Sequence, residues 1–160
     1  MQTLVRPVGP TDIPHLLRLL RAKAVFDGVE YSLQATEQNL AEELLAPKAT
    51  ASAIVAVVDN QVVGMATYFQ TFSSFLMKPG IWLDDLFVED THRNHGIGRQ
   101  LITWLCKEAA ASGCARIDWI VAANNGNGRG FYERMGATII ESVRLARIDR
   151  NAILANASDA

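Results

Sequence analysis

The sequence predicts a mixed α/β fold, one sheet with helices on both faces. Three observations predict it. Apolar runs of strand length recur along the chain, and helical stripes of leucine and isoleucine lie between them. The order is strands first, then strand–helix–strand–helix–strand, which suits a mixed sheet covered on both sides.

Taken in order, Leu4-Val5-Arg6 reads as a short first strand. Thr11 is placed to cap a helix whose first turn holds Asp12 and Pro14. Leu16, Leu17, Leu19 and Leu20 form its core stripe, and Thr36 caps a second helix carrying Leu40, Leu44 and Leu45. Ser52 to Val58 and Val62 to Phe69, separated by Asp59-Asn60-Gln61, read as a hairpin. Ile81 to Val88 is a further strand. A helix then begins near Gly98, carries Leu101, Ile102, Leu105 and Ala109, and stops at Gly113. Ala115 to Ala122 reads as a strand, and Asn127 to Met135 as a short helix ended by Gly136. Ala137 to Val143 and Leu145 to Ile148 are expected to close the sheet.

At 160 residues, with 49% hydrophobic and 20% charged residues, the chain fits one globular domain spanning 1–160. A formal net charge of -2 argues against nucleic acid as a partner. No apolar run reaches membrane-spanning length, so no membrane partner is expected. The first residues, Met1 to Pro7, lack an apolar signal core. Cys106 and Cys114 suit partly buried thiols in a reducing cytosol, and a cytoplasmic location is the expectation. His15, His92 and His95 have no metal-ligand spacing with cysteines or acids, so no metal is expected.

The chemistry sits at Arg93-Asn94-His95-Gly96-Ile97-Gly98, between an apolar strand and an amphipathic helix. Glycines let backbone N–H groups converge, Asn94 tolerates a left-handed turn, and a helix N-terminus adds about half a positive charge. Such a loop can hold a diphosphate without a lysine, and the Gly-Lys-Ser/Thr of a nucleotide P-loop is missing. A second feature is Asp84-Asp85 inside an apolar strand, where an acid is costly unless paired or useful. Strand alternation sends the two side chains to opposite faces. The string Gly126-Asn127-Gly128-Arg129-Gly130 lacks a full dinucleotide pattern and reads as a flexible entry to a last helix. Trp82, Trp104 and Trp119 read as core or sheet-face residues.

The Arg-x-x-Gly-x-Gly pattern after a strand, followed by Asn125 and Phe131-Tyr132-Glu133-Arg134-Met135-Gly136-Ala137, resembles the GNAT superfamily of N-acetyltransferases. The resemblance is strong over about residues 81 to 140. Ile81-Trp82-Leu83-Asp84-Asp85-Leu86-Phe87-Val88, Val121-Ala122-Ala123-Asn124-Asn125, Thr36 to Leu40 and Arg144 to Asp149 are similar to the diamine (spermidine/spermine) and thialysine N-acetyltransferase branch. There are departures. Phe26-Asp27 stands where an aromatic–acid pair has a tyrosine. Ser73 and Phe75 stand for an acid and a tryptophan, and Asp84 is shorter than the branch's glutamate.

The resemblance implies a twisted mixed sheet of about seven strands with about four helices. It implies an acetyl-CoA-dependent enzyme acting by direct transfer on a primary amine of a small molecule, such as a polyamine, a diamine or a thialysine-like amino acid. A protein or peptide N-acetyltransferase and a non-catalytic acyl-CoA sensor of the same fold are the alternatives. It further implies that the strands at Ile81–Val88 and Ala115–Ala122 diverge around a pantetheine arm bonded by the backbone of Leu86, Phe87 and Val88. The pyrophosphate would rest on Arg93, Asn94, His95, Gly96, Ile97, Gly98 and Arg99, with Asn125 and Tyr132 also toward the coenzyme. Asp84 would be base or charge partner of the amine, and Tyr132 the acid near the coenzyme sulfur. Phe26, Asp27, Asp84, Asp85, Asp118 and Trp119 would line the acceptor site, and a two-fold homodimer is implied.

Overall fold

The structure is a computed structural model and describes residues 2–158. The chain forms two compact units, one ending at Ile120 and one beginning at Val121.

The first unit is built on a five-stranded sheet in the order β1-β2-β3-β4-β5. Strand β1 (Thr3–Pro7) pairs with β2 (Ser52–Val58), β2 with β3 (Gln61–Ser73) and β3 with β4 (Lys78–Val88), all antiparallel. The short β5 (Ile117–Asp118) joins β4 in parallel, so the sheet is mixed as the element order predicts. The β2–β3 turn forms because Asp59 and Asn60 both take positive φ, at 47° and 63°. These are residue types that accept a left-handed conformation, and the primed turn matches strand twist.

Helix α1 (Ile13–Asp27) buries its leucine stripe on one face of the sheet, where Leu16 and Leu19 join Ala53, Val55, Met65 and Phe87 in one cluster. Helix α2 (Glu37–Leu45) lies beside it, its N-terminus capped as expected by Thr36, whose Oγ1 accepts from the Asn39 amide at 3.2 Å. In β2, Ile54, Ala56 and Val58 are buried as well, and alternation turns them to the opposite face. Helix α3 (Ile97–Ala111) covers the strands with Ile97, Leu101, Ile102 and Leu105 buried.

Several expectations are corrected. Thr11 does not cap α1. Residues Pro10–Asp12 form a 3-10 turn, and Asp12 stands at the cap position with its side chain turned elsewhere. It accepts from the Gly9 amide at 2.7 Å and from an Arg6 nitrogen at 2.9 Å. The strand expected over 115–122 pairs only at Ile117 and Asp118. Cys106 is exposed rather than partly buried.

In the second unit, α4 (Gly126–Arg134) begins one residue early and contains the glycine-rich string itself. That string is helix, not a flexible entry. Asn125 caps it by accepting from the Gly128 amide at 2.9 Å. The segments 137–143 and 145–148 form no strand, because no ladder partner reaches them within this unit. Their Ile140, Val143, Leu145 and Ile148 are exposed. Helix α5 (Arg150–Ser158) follows, with the Asp149 carboxylate accepting from the Ala152 amide at 2.9 Å. Among the described residues the count is thus five strands and five α-helices, against about seven and about four expected.

Asp12 is only 4% exposed, and its carboxyl sits below the ordinary aspartate range because the Arg6 hydrogen bond outweighs the cost of burial. Arg6→Met strands that charge, so the variant is expected to lose about 3 kcal/mol of unfolding free energy in urea titration at neutral pH. The loss shrinks as pH falls far enough to protonate Asp12 in both variants.

Candidate active site

The loop before α3 is shaped by two left-handed residues, Asn94 at φ 64° and Gly96 at φ 79°. At the second, the cap of α3, glycine is favoured by its positive φ, while a Cβ built there would meet no atom within 4 Å. The space beside Gly96 is therefore open. The first amide spent inside α3 is that of Gln100, on the Gly96 carbonyl at 3.0 Å. Among the described residues, the amides of 94–99 make no hydrogen bond, as expected at a helix start. The first turn of α3 holds no acid, and Arg99 stands there instead. Unspent donors, open space and a cation fit a diphosphate.

Arg93 differs from its neighbours. Its amide donates to the Asp90 carbonyl at 3.3 Å, so the unspent run starts at Asn94. Its guanidinium donates to the Val88 carbonyl at 3.0 Å, pairs with Asp90 at 2.8 Å, and lies 4.8 Å from the Phe26 ring centre and 5.4 Å from that of Phe87. Arg93 thus ties the loop to β4 and to α1.

Strand β4 carries the acids. Thr67 pairs with Asp85 and the next residue, Tyr68, pairs with Leu83, so Asp84 is an extra residue without a partner across the ladder. This bulge breaks the simple alternation that placed Asp84 and Asp85 on opposite faces. Asp84 receives a hydrogen bond from Trp82 Nε1 at 3.3 Å, while Trp82 stacks on Phe69 with centres 6.4 Å apart. Loss of water around it, and then the neighbouring Asp85, raise the Asp84 pKa above the ordinary aspartate value; Trp82 and Lys23 oppose this. Asp85 accepts from Thr67 Oγ1 at 2.9 Å and pairs with Lys23 at 3.3 Å.

On its other edge β4 has ladder partners at Ile81 and Trp82, opposite Ile117 and Asp118, and the Pro79 carbonyl accepts from the Ala115 amide at 2.9 Å. From Leu83 to Val88, including Leu86 and Phe87, that edge has no strand beside it in this unit. Asp118 pairs with Arg116 at 2.8 Å, and Trp119 follows just past the last ladder contact.

Helix α1 ends at Gly28, which is left-handed at φ 69° and lets the Val29 amide close on the Ala24 carbonyl at 2.9 Å. This places Phe26 and Asp27 in the last turn, about 100° apart around the axis. They face different spaces. Phe26 packs edge-on to Phe87 and lines a cavity of about 490 Å³ with Glu89 and Asp90. Asp27 lines a second cavity of about 190 Å³ with Lys23 and Asp85. Lys23 bridges Asp27 and Asp85. Burial alone would lower its pKa, but the two carboxylates raise it above the ordinary lysine value. Sequence reading passed over Lys23, although the i,i+4 spacing to Asp27 was the available signal.

Phe26, Asp27, Asp84, Asp85, Leu86, Phe87, Val88, Asp118, Trp119 and the loop 93–99 all belong to the first unit. Asn125 and Tyr132 belong to the second. There Asn125 spends its side-chain oxygen on the cap of α4. Tyr132 is half-buried, its ring 5.2 Å from that of Phe131 and its carbonyl accepting from the Ala137 amide at 3.0 Å. Among the described residues no cluster of histidine, cysteine and acids could hold a metal, and no helix is long and apolar enough to cross a membrane.

Comparisons with known proteins bear on the site. The sequence model of the Acetyltransferase (GNAT) family matches residues 16–137. An L-ornithine N5-acetyltransferase of Arabidopsis thaliana is 27% identical over 200 aligned positions, covering 97% of this chain and 88% of that one. A thialysine N-epsilon-acetyltransferase of Bos taurus is 23% identical, covering 84% of this chain and 83% of that one. Among solved structures, an integron cassette protein from the mobile metagenome of V. cholerae superposes with a TM-score of 0.79 at 26% identity, over 98% of each chain.

The raised pKa of Asp84 generates a stability expectation with a definite sign. An acid whose folded pKa lies above its unfolded value favours the fold when protonated and costs stability once ionised. Asp84→Asn removes that cost, so its Tm should exceed the parent's at pH 7, and the two should converge below about pH 3, where both states of the parent are protonated. Thermal melts of the two proteins across pH check this; a lower Tm at pH 7 would contradict it.

Proposed function

Because the chain belongs to the GNAT family of acetyltransferases, we propose that it transfers the acetyl group of acetyl-CoA to a primary amine of a small molecule by direct attack. The observation that carries this reading is the free edge of β4 over 83–88, running into the unspent amides of 94–99. The ornithine and thialysine relatives support a small-molecule amine as acceptor.

In this reading acetyl-CoA supplies an activated thioester. The backbone of Leu86, Phe87 and Val88 holds its pantetheine arm, and a backbone N–H there stabilises developing negative charge on the carbonyl oxygen. The amides from Asn94 to Arg99 hold the diphosphate, while Arg93 keeps that loop in shape. An alkyl ammonium with a pKa near 10.4 is only about one part in a thousand neutral at pH 7, and only the neutral form has a lone pair. Asp84 takes its proton, directly or through water, and its raised pKa brings it nearer the range where a carboxylate accepts one usefully. The amine nitrogen bonds to the carbonyl carbon, the carbon–sulfur bond breaks, and Tyr132 gives its phenolic proton to the departing sulfur. Tyr132 suits the role because a phenol with a pKa near 10 stays protonated at neutral pH. Phe26, Asp27, Asp85, Asp118 and Trp119 shape the acceptor side, and Asn125 serves through the start of α4.

The test is coenzyme thiol release from acetyl-CoA across a panel of polyamines, diamines, thialysine, amino acids and peptides. Release with small amines is expected; none with any amine would leave a coenzyme-binding sensor. Tyr132→Phe should lower kcat by roughly 10²-fold with little change in coenzyme affinity. Gly96→Val, which cannot keep φ 79°, should lose coenzyme binding by calorimetry while retaining its fold.

We read residues 1–160 as one catalytic domain working in the cytoplasm as a two-fold homodimer. The exposed Ile140, Val143, Leu145 and Ile148, which find no ladder within their own unit, are the supporting feature. Light scattering at micromolar concentration should give twice the chain mass; a monomer mass would end this part of the reading.

A further inference from the structure

The group that the reading above leaves without a role is Lys23. Its Nζ is hydrogen-bonded to Asp27, one helical turn on, and lies 3.3 Å from Asp85 across in β4. An ordinary surface pair on a helix would involve Asp27 alone and stand in water. This ammonium is turned inward instead, its side chain 19% exposed and that of Asp85 24%. The cavity of about 190 Å³ beside it is lined by Leu20, Ser32 and Gln34 as well as by the three charged residues. It is large enough for a short alkyl chain, and two carboxylates face it, yet a cation of the protein's own already stands between them.

We propose that Lys23 sets acceptor specificity: its ammonium occupies the berth between Asp27 and Asp85 that the second cationic group of a diamine would otherwise take. This rests on the reading of Asp84 as the place where the reacting amine is presented. With three acids, Asp27, Asp84 and Asp85, against one lysine, the formal charge there is -2. A single ammonium at Asp84 is attracted. A second one entering the cavity meets Lys23 first, and like charges a few ångströms apart near a protein surface repel on a scale of tenfold or more in affinity. The site thus favours acceptors whose far end carries no positive charge.

Lys23→Met keeps the length of the side chain and removes its charge, and Lys23→Arg keeps the charge. For each protein, kcat/KM is measured with propane, butane and pentane diamines and with the monoamines of equal length. The diamine-to-monoamine ratio should rise at least about tenfold in Lys23→Met and stay near the parent's in Lys23→Arg. Calorimetric binding of the same amines, which needs no turnover, should show the same contrast. Lys23→Gln serves should the methionine variant fold poorly, with Tm reporting any loss of a purely structural bridge. An unchanged ratio in the neutral variants, or an equal change in Lys23→Arg, overturns the assignment. Absence of thiol release in the parent would overturn acetyl transfer instead, and the binding contrast would still decide the role of Lys23.

Discussion

Between the pairs Thr67–Asp85 and Tyr68–Leu83, strand β4 has one residue more than β3, and much of the site follows from that mismatch. A regular ladder would give each residue of β4 one partner and one fixed face. With Asp84 left over, the strand twists more sharply there, and two adjacent acids come under the influence of the same lysine. Asp85 is satisfied by Thr67 and Lys23, and Asp84 is left with one weak bond from Trp82. Two carboxylates of the same kind are thereby made different, one held by a hydroxyl and an ammonium and the other, Asp84, readier to hold a proton.

The free edge of β4 and the loop after it extend the same logic along the strand. Since β5 pairs over only two residues, backbone groups that a longer β5 would consume remain available to something else. The loop adds six amides and the start of a fifteen-residue helix. Arg93 spends itself on shape, bound to Val88, Asp90 and the faces of two phenylalanines. Positive character therefore reaches the open side through the backbone and Arg99.

Much of this was legible in the residues because it rests on local rules. Asp59-Asn60 and the Asn94–Gly96 turn are dictated by the conformations those residues tolerate, and Thr36 by the cap its hydroxyl supplies. The leucines of α1 and the apolar run of β2 announced the core. What was not legible depends on pairing across distance. No pattern in Ala115 to Ala122 says that its ladder ends after two residues, and a one-residue bulge at Asp84 looks like any strand. The runs after Gly136 have strand composition but no partner within their unit, so composition alone misled. Thr11 carried the capping signature, but the helix starts later, at Ile13, and Arg6 from β1 holds the side chain of Asp12 at the cap position. Lys23 was overlooked because its meaning comes from Asp85, 62 positions away.

The last turn of α1 has a further consequence for how such a site can diverge. Phe26 and Asp27 owe their different destinations to a rotation of about 100° per residue, fixed in phase by the left-handed Gly28. Inserting or deleting one residue ahead of that glycine would turn both side chains out of their cavities at once. Exchanging the residues in place would alter one cavity and spare the other. The helix end therefore works as a fixed dial: descendants of this sequence are free to change which acceptor they favour by substitution at 23, 26 or 27, while the length of the helix stays under constraint.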